Sequence, residues 1–115
     1  MLGFQRLEVY RLSIEFHGLL VRCTRERVRG YRGVVDQVRR AASSVPLNIA
    51  EASGRLQPGE AAHHFAIARG SAMECAAGLD LCRQLAIISE DDYHQGMELL
   101  VSIVKMLSRL CLANR

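Results

Sequence analysis

The sequence predicts an all-α protein with the architecture of an antiparallel up-down four-helix bundle. Apolar residues recur at every third or fourth position through four long segments, and no run alternates with a period of two. Only 9 Gly and 2 Pro interrupt the 115 residues. Short connections make consecutive helices antiparallel neighbours. At 12.8 kDa the chain has the size of a single domain, residues 1–115.

The first two helices are predicted on either side of Gly30. Helix one runs from about Phe4 to Arg29 and ends there because glycine readily adopts the conformation that terminates a helix. Helix two runs from about Tyr31 to Gly54. Pro46 lies inside it and is expected to kink the helix and to free one backbone carbonyl.

The third and fourth helices are predicted on either side of Ser89. Helix three runs from Pro58 to about Ile88, and its inner seam consists mostly of small residues, which lets a neighbouring helix come close. Ser89 is a typical N-cap followed by an acidic first turn, and helix four continues to about Ala113. The predicted seam is Phe65, Ala68, Ala72, Cys75, Leu79, Cys82 and Ala86.

The apolar content exceeds the need of one small core. Including glycine, about 55% of the residues are apolar, against roughly 45–50% in ordinary soluble domains. Helices one and four each carry two apolar stripes, although an outer bundle helix needs one. The second stripe either widens the core face or packs against another copy of the chain, and the composition favours self-association.

The sequence is typical of a soluble, cytoplasmic protein. No stretch approaches the ~18 uninterrupted apolar residues of a membrane span, and the N-terminus lacks a signal-peptide pattern. The four cysteines form no Cys-x-x-Cys pair. We therefore expect no contact with a membrane.

Five segments carry recognisable motifs: LEVY at 7–10, QVRRAA at 37–42, VPLNIAEA at 45–52, ARGSAME at 68–74 and ISEDDY at 88–93. In order and spacing they resemble a family of four-helix bundles that includes the proteins encoded in intervening sequences of bacterial 23S ribosomal RNA genes. The resemblance covers about residues 4–112. Asn48 to Glu51, just after the proline, is its most specific part.

The resemblance implies a homo-oligomeric ring, typically a pentamer, with no established enzymatic activity. Accessory proteins of diversity-generating retroelements share this plan and are thought to bind nucleic acid and a reverse transcriptase. The implied partners are therefore other copies of the chain, RNA or DNA, and a reverse-transcriptase-like protein.

Positive charge is concentrated around the connection between helices one and two. Residues 1–57 contain 10 Arg and 5 acidic residues, a net charge of +5, whereas residues 58–115 contain 5 basic and 7 acidic residues, a net charge of −2. Repeated around a ring, such a cluster would attract phosphates. Alternatively, these arginines form a solvated helix end and interact with the C-terminal dipole of helix one. The candidate nucleic-acid-binding residues are Arg25, Arg27, Arg29, Arg32 and Arg40.

A second polar group is predicted to be structural: Arg22, Arg39, Asn48, Glu51 and Glu74. Helices two and three are joined near residues 55–58, so Arg39 and Glu74 lie at the same height in the bundle, and so does Arg22. This predicts a partly buried ion pair of Glu74 with Arg39 or Arg22. Asn48 and Glu51 are expected to satisfy backbone groups freed by the proline, or to contact another subunit.

Metal and catalytic sites are not expected. Glu60 and His63 have the Glu-x-x-His spacing of di-iron bundles, and Asp91 and His94 form a carboxylate variant. Both pairs start helices, which places them at opposite ends of the bundle, roughly 40 Å apart. We therefore predict no cofactor and no catalytic residue. The sequence favours a nucleic-acid-associated accessory protein, and the alternative is a protein–protein scaffold that does not bind nucleic acid.

Overall fold

The computed structural model describes residues 1–25 and 30–115. After a 3-10 turn at Gly3–Arg6 it contains four helices: α1 Glu8–Cys23, α2 Arg32–Ser53, α3 Pro58–Gln84 and α4 Glu90–Ala113. Each helix packs against the next, and α4 packs back against α1. The described residues contain no strand. The fold is the predicted all-α four-helix bundle.

The first helix begins later than predicted. Leu7 adopts an extended conformation, with φ −67° and ψ 130°, which separates the 3-10 turn from α1. The Phe4 and Tyr10 rings meet edge-on with centroids 5.0 Å apart, so an aromatic contact links the turn to α1. The helix also ends earlier, at Cys23, six residues before the predicted end at Arg29, a position outside the described residues.

Helix α3 ends at Gln84, four residues before the predicted end. Ala86 has a positive φ of 57°. The N–H of Ile87 donates to the carbonyl of Cys82 at 2.8 Å, and the N–H of Ala86 donates to the carbonyl of Arg83 at 3.0 Å. This pair of bonds is a Schellman motif, which stops a helix. Ala86 is therefore exposed and does not extend the inner seam, while Ile87 turns inward and is buried.

The other helix boundaries agree with the prediction to within about one residue. Ser89 caps α4, because its hydroxyl accepts a hydrogen bond from the N–H of Asp92 at 3.1 Å. Pro46 lies inside α2 and is buried. Both features follow from local residue chemistry.

Helices α2 and α3 form the most extensive packing interface. The predicted small seam of α3 faces it, with Ala68, Ala72 and Cys75 completely buried. Gly78 allows the closest approach, since a methyl group in its place would lie 2.9 Å from Cγ1 of Val38. Small residues thus bring these two helices together.

The exposed apolar surface is spread over all four helices and is not confined to the double stripes of α1 and α4. The second stripes of α1 and α4 are largely covered within one chain, because Leu12, Leu99 and Met106 are half-buried against the core. The outer side of α3 is also apolar and exposed, with Met73 at 50% and Leu81 at 54%, whereas Ile14 on α1 and Val101 on α4 are each 48% exposed. Along residues 1–25 and 30–115, no helix is long and apolar enough to span a lipid bilayer.

Candidate nucleic-acid interface

One end of the bundle carries a group of arginines that we call the arginine rim: Arg22, Arg25 and Arg32. Arg22 lies in the last turn of α1 and Arg32 in the first turn of α2. All three side chains are exposed. Among the described residues, the ion pairs of arginine involve Arg55 and Arg83 and none of the rim arginines. The three guanidinium side chains are therefore accessible to solvent.

The N-terminus of α2 adds to this charge. Its N-cap residue, Tyr31, makes no side-chain capping bond, and no acidic residue occupies the first turn. The first N–H groups of a helix have no partner within the helix and form the positive end of its dipole. Arg32 thus lies where an acidic residue would be favourable. Helix α4 shows the usual arrangement, with the Ser89 cap and three acidic residues in its first turn.

Arg39 is held in place next to the rim. Its Nε and Nη2 donate to the hydroxyl of Thr24 at 3.1 and 2.9 Å. That hydroxyl is completely buried and donates in turn to the carbonyl of Leu20 at 2.6 Å. The guanidinium is therefore fixed beside the C-terminal end of α1, where the helix dipole favours a cation.

The predicted ion pair of Glu74 is wrong. Arg39 points toward Thr24, Arg22 is exposed, and Glu74 is exposed and accepts only a long bond of 3.4 Å from Nε2 of Gln37. The predicted height along the bundle is correct, since Gln37 and Glu74 face each other. The rotation of α3 about its axis places the carboxylate outside, which avoids the cost of burying a charge.

A polar network joins α2 to α3 further along the bundle. Nδ2 of Asn48 donates to the hydroxyl of Ser44 at 3.1 Å, and its Oδ1 lies 3.2 Å from Nδ1 of His64. The hydroxyls of Ser44 and Ser71 lie 2.8 Å apart. Ser44, His64 and Ser71 were not predicted as partners, because isolated polar residues on a helix carry no sequence signal of a contact with another helix.

Asn48 and Glu51 do not satisfy the backbone carbonyl that Pro46 frees, and the alternative role, contact with another subunit, stays a prediction. Pro46 removes the donor for the carbonyl of Ala42, four residues earlier, whereas Nδ2 of Asn48 donates to the carbonyl of Ser44 at 2.9 Å. Glu51 is exposed and forms an ion pair with Arg55 one turn on. The five residues of the predicted polar cluster are thus spread over separate contacts.

The remaining candidate residues fall on different parts of the molecule. Arg40 is exposed, eight residues and about 12 Å along α2 from Arg32, so it lies on the side of the bundle. Arg27 and Arg29 lie outside the described residues. Within the described ranges, no three His, Cys, Asp or Glu residues are grouped to hold a metal ion.

The four cysteine thiols are free, and burial raises the pKa of three of them, Cys23, Cys75 and Cys82. Burial raises the pKa of Cys75 to about 12, with a smaller contribution from the nearby charge of Glu74. Burial likewise raises the pKa of Cys23 to about 11. The thiolate is the nucleophilic form of cysteine, so these two thiols are suited to packing. The chemistry that the arginine rim offers is the binding of anions.

Comparison with known proteins places the chain in a family. The family model described as "23S rRNA-intervening sequence protein" matches residues 5–109. A crystal structure from Bacteroides thetaiotaomicron, described as a protein of unknown function from the S23 ribosomal protein family, has the same fold. Its TM-score is 0.82 at 23% identity, over 90% of this chain and 97% of that one. No curated protein matches, and neither description names an enzymatic activity. The chain belongs to the family of 23S rRNA-intervening sequence proteins.

Proposed function

We propose that the protein is a non-enzymatic, homo-oligomeric accessory protein that binds RNA or DNA through phosphate contacts at the arginine rim. The observation that carries this proposal is the N-terminus of α2, where Arg32 occupies an uncapped first turn without an acidic residue. A cation at this position opposes the helix dipole and lowers stability. A bound phosphate would reverse that cost.

The rim has the chemistry that a phosphate requires. Guanidinium groups bind phosphate oxygens with two parallel hydrogen bonds, and unpaired N–H groups at a helix N-terminus also bind anions. Arg27 and Arg29 follow Arg25 in the chain and extend the positive segment. Phosphate contacts carry no base information, so we expect binding with little sequence preference.

The partners implied by the family resemblance complete the proposal. Several copies, five in the implied ring, would align their rims and increase the avidity for one nucleic acid. The protein would act in the cytoplasm beside a reverse-transcriptase-like protein. The exposed apolar side of α3 supports the self-association, because contiguous apolar surface of this kind marks interaction sites.

The test is a salt titration of binding, by fluorescence anisotropy, to a 20-base-pair duplex DNA and to an RNA hairpin of the same length. For duplex DNA the logarithm of the affinity should fall with the logarithm of salt concentration at a slope near −0.9 per phosphate contact. The Arg25→Ala/Arg32→Ala variant should reduce this slope by about 2.

The matched control is Arg11→Ala/Arg109→Ala, which removes the same charge from exposed positions near the other end of the bundle. Absence of binding at ~50 mM salt would refute the nucleic-acid function. An equal loss in the control pair would refute the location of the site.

The second candidate is a protein–protein scaffold without nucleic-acid binding. The exposed apolar residues of α3 favour it, because they offer contact area that owes nothing to the arginines. In this case the rim would serve only to solvate a helix end, and the arginine variants would leave both the assembly and every interaction unchanged.

A further inference from the structure

The outer side of α3 presents a continuous apolar stripe, which we call the α3 ridge. Its residues recur at intervals of three and four, so they form one line along the helix. All of them are exposed, on the side opposite the buried seam, and the space around Gly70 is open. The ridge consists of Ala66, Gly70, Met73, Ala77 and Leu81.

A second exposed stripe runs along the outer side of α2, at intervals of seven. It consists of Gly33, Arg40 and Leu47, and we call it the α2 stripe. Leu47 is 68% exposed although it lies in the middle of a helix, and the space around Gly33 is open. The α2 stripe thus combines one large apolar residue, one cation and one gap, and the exposed carboxylates of Asp36 and Glu51 flank it.

The hydrogen bonds between α2 and α3 set the heights of the two stripes. Gln37 bonds Glu74, and the hydroxyls of Ser44 and Ser71 lie in contact. Because the helices are antiparallel, Leu47 lies at the height of Ala66 and Arg40 at that of Glu74. By the same register, Gly33 lies at the height of Leu81.

These pairs are complementary. Leu47 lies level with the small residues at the start of the ridge, Leu81 lies level with Gly33, and Arg40 lies level with an exposed carboxylate. The two helices agree with this in sign, since residues 32–53 carry a net charge of +1 and residues 58–84 a net charge of −1. The two stripes lie on different sides of one bundle, so they can meet only between molecules.

We propose that the α3 ridge of one copy packs against the α2 stripe of a second copy, with Glu74 forming an ion pair with the partner subunit's Arg40. The inference rests on the self-association in the proposed function and specifies its surface. A contact between two different surfaces generates a closed ring or an open filament. In a ring whose axis runs along the bundles, all copies stand at one height, so residues at equal heights meet.

The size of the contact suits a reversible assembly. The ridge spans 16 positions, or about 24 Å of helix. A contact limited to one helix face belongs to the small interfaces, below about 1,200 Å² in total, that are typical of weak and transient association. The contact also gives the exposed carboxylate of Glu74 a charged partner. Within one chain this carboxylate accepts a long hydrogen bond from Gln37. We therefore expect the assembly to depend on protein concentration.

The test is a charge exchange, followed by sedimentation velocity from ~5 to ~200 µM protein. Arg40→Glu and Glu74→Arg should each weaken the assembly at least tenfold, toward the 12.8 kDa monomer. The double variant Arg40→Glu/Glu74→Arg should restore it, because the pair is regenerated with reversed polarity. The matched controls are Arg109→Glu and Glu98→Arg, at exposed positions of α4, which should leave the assembly intact.

Gly70→Gln separates loss of contact from loss of folding. Glutamine is a better helix former than glycine, so thermal stability should stay or rise while the bulkier side chain blocks the ridge. A monomeric wild type, single reversals without effect, or a double variant that stays dissociated would each overturn the inference.

The nucleic-acid function and the contact between copies can be refuted independently. Arg25→Ala/Arg32→Ala should keep its assembled mass. An assembled protein that binds no nucleic acid refutes the nucleic-acid function alone. A monomer with a steep salt dependence of binding refutes the proposed contact alone.

Discussion

At the scale of single residues, Ala86 has a backbone conformation that suits glycine. Its φ of 57° places the Cβ close to the following carbonyl, at a cost of roughly 1–2 kcal/mol. We expect Ala86→Gly to raise the free energy of unfolding by about 1 kcal/mol and the melting temperature by about 4–8 °C. Thermal unfolding followed by circular dichroism measures this. Ala62→Gly, inside α3, should have the opposite sign, and a loss of stability in both variants would contradict the strain at Ala86.

Gly78 illustrates the reverse case. Alanine favours a helix over glycine by about 1 kcal/mol, but a methyl group here would clash with Val38. We expect Gly78→Ala to lower the free energy of unfolding by about 1–3 kcal/mol, the usual cost of overpacking. Urea unfolding measures the loss. Val38→Ala should cost less in the Gly78→Ala background than in the wild type, and strictly additive effects would argue against this contact.

At the scale of the elements, a capping residue at the N-terminus of α2 should raise the stability of the fold and lower the affinity for nucleic acid. Tyr31→Asp supplies the missing N-cap, which is worth about 1 kcal/mol. The same carboxylate would compete with phosphate for the N–H groups of the first turn, so the affinity for duplex DNA should fall. Unfolding and anisotropy measurements on one preparation test both effects. If the variant is more stable but its affinity for DNA is unchanged, the phosphate does not bind at the first turn of α2.

The helix boundaries show what local sequence can specify. The start of α4 was predictable from Ser89 and its acidic first turn, and the start of α3 from Pro58, because caps and proline act within one turn. The break at Leu7 and the stop at Ala86 were not, since tertiary packing decides them. Ile87 is buried only because the chain reverses just before it.

Rotation about a helix axis was harder to predict than height along it. The α2–α3 connection correctly set the height of Glu74, and the inner seam of α3 was correct up to Cys82. The predicted ion pair treated equal height as contact, although Glu74 lies well away from the seam around the helix. Likewise, the side chain of Arg39 turned to Thr24, a residue with no obvious partner in the sequence.

At the scale of the whole molecule, the composition predicted more apolar residues than one core needs, but the helix pattern did not predict which sides stay exposed. Helices one and four carried the double stripes, but a bundle helix packs against two neighbours, which covers most of both stripes within the chain and leaves Ile14 exposed. Helix α3 carries small residues on its inner side, and they contribute little to the apolar pattern. Its outer side therefore shows the surplus, with Met73 and Leu81 about half exposed.

Global stability should also fall in alkaline solution through Cys75. Its pKa is about 12 in the folded chain, against 9.0 for an ordinary thiol, mainly because it is buried. Above pH 9 the unfolded chain loses this proton while the folded chain keeps it. The thiol therefore leaves the free energy of unfolding unchanged below pH 9 and lowers it as the pH rises toward 12. Between pH 8 and pH 10 the wild type should lose about 1 kcal/mol more than Cys75→Ala. Urea unfolding under reducing conditions measures the difference, and parallel pH dependences would show that the thiol ionises equally in both states.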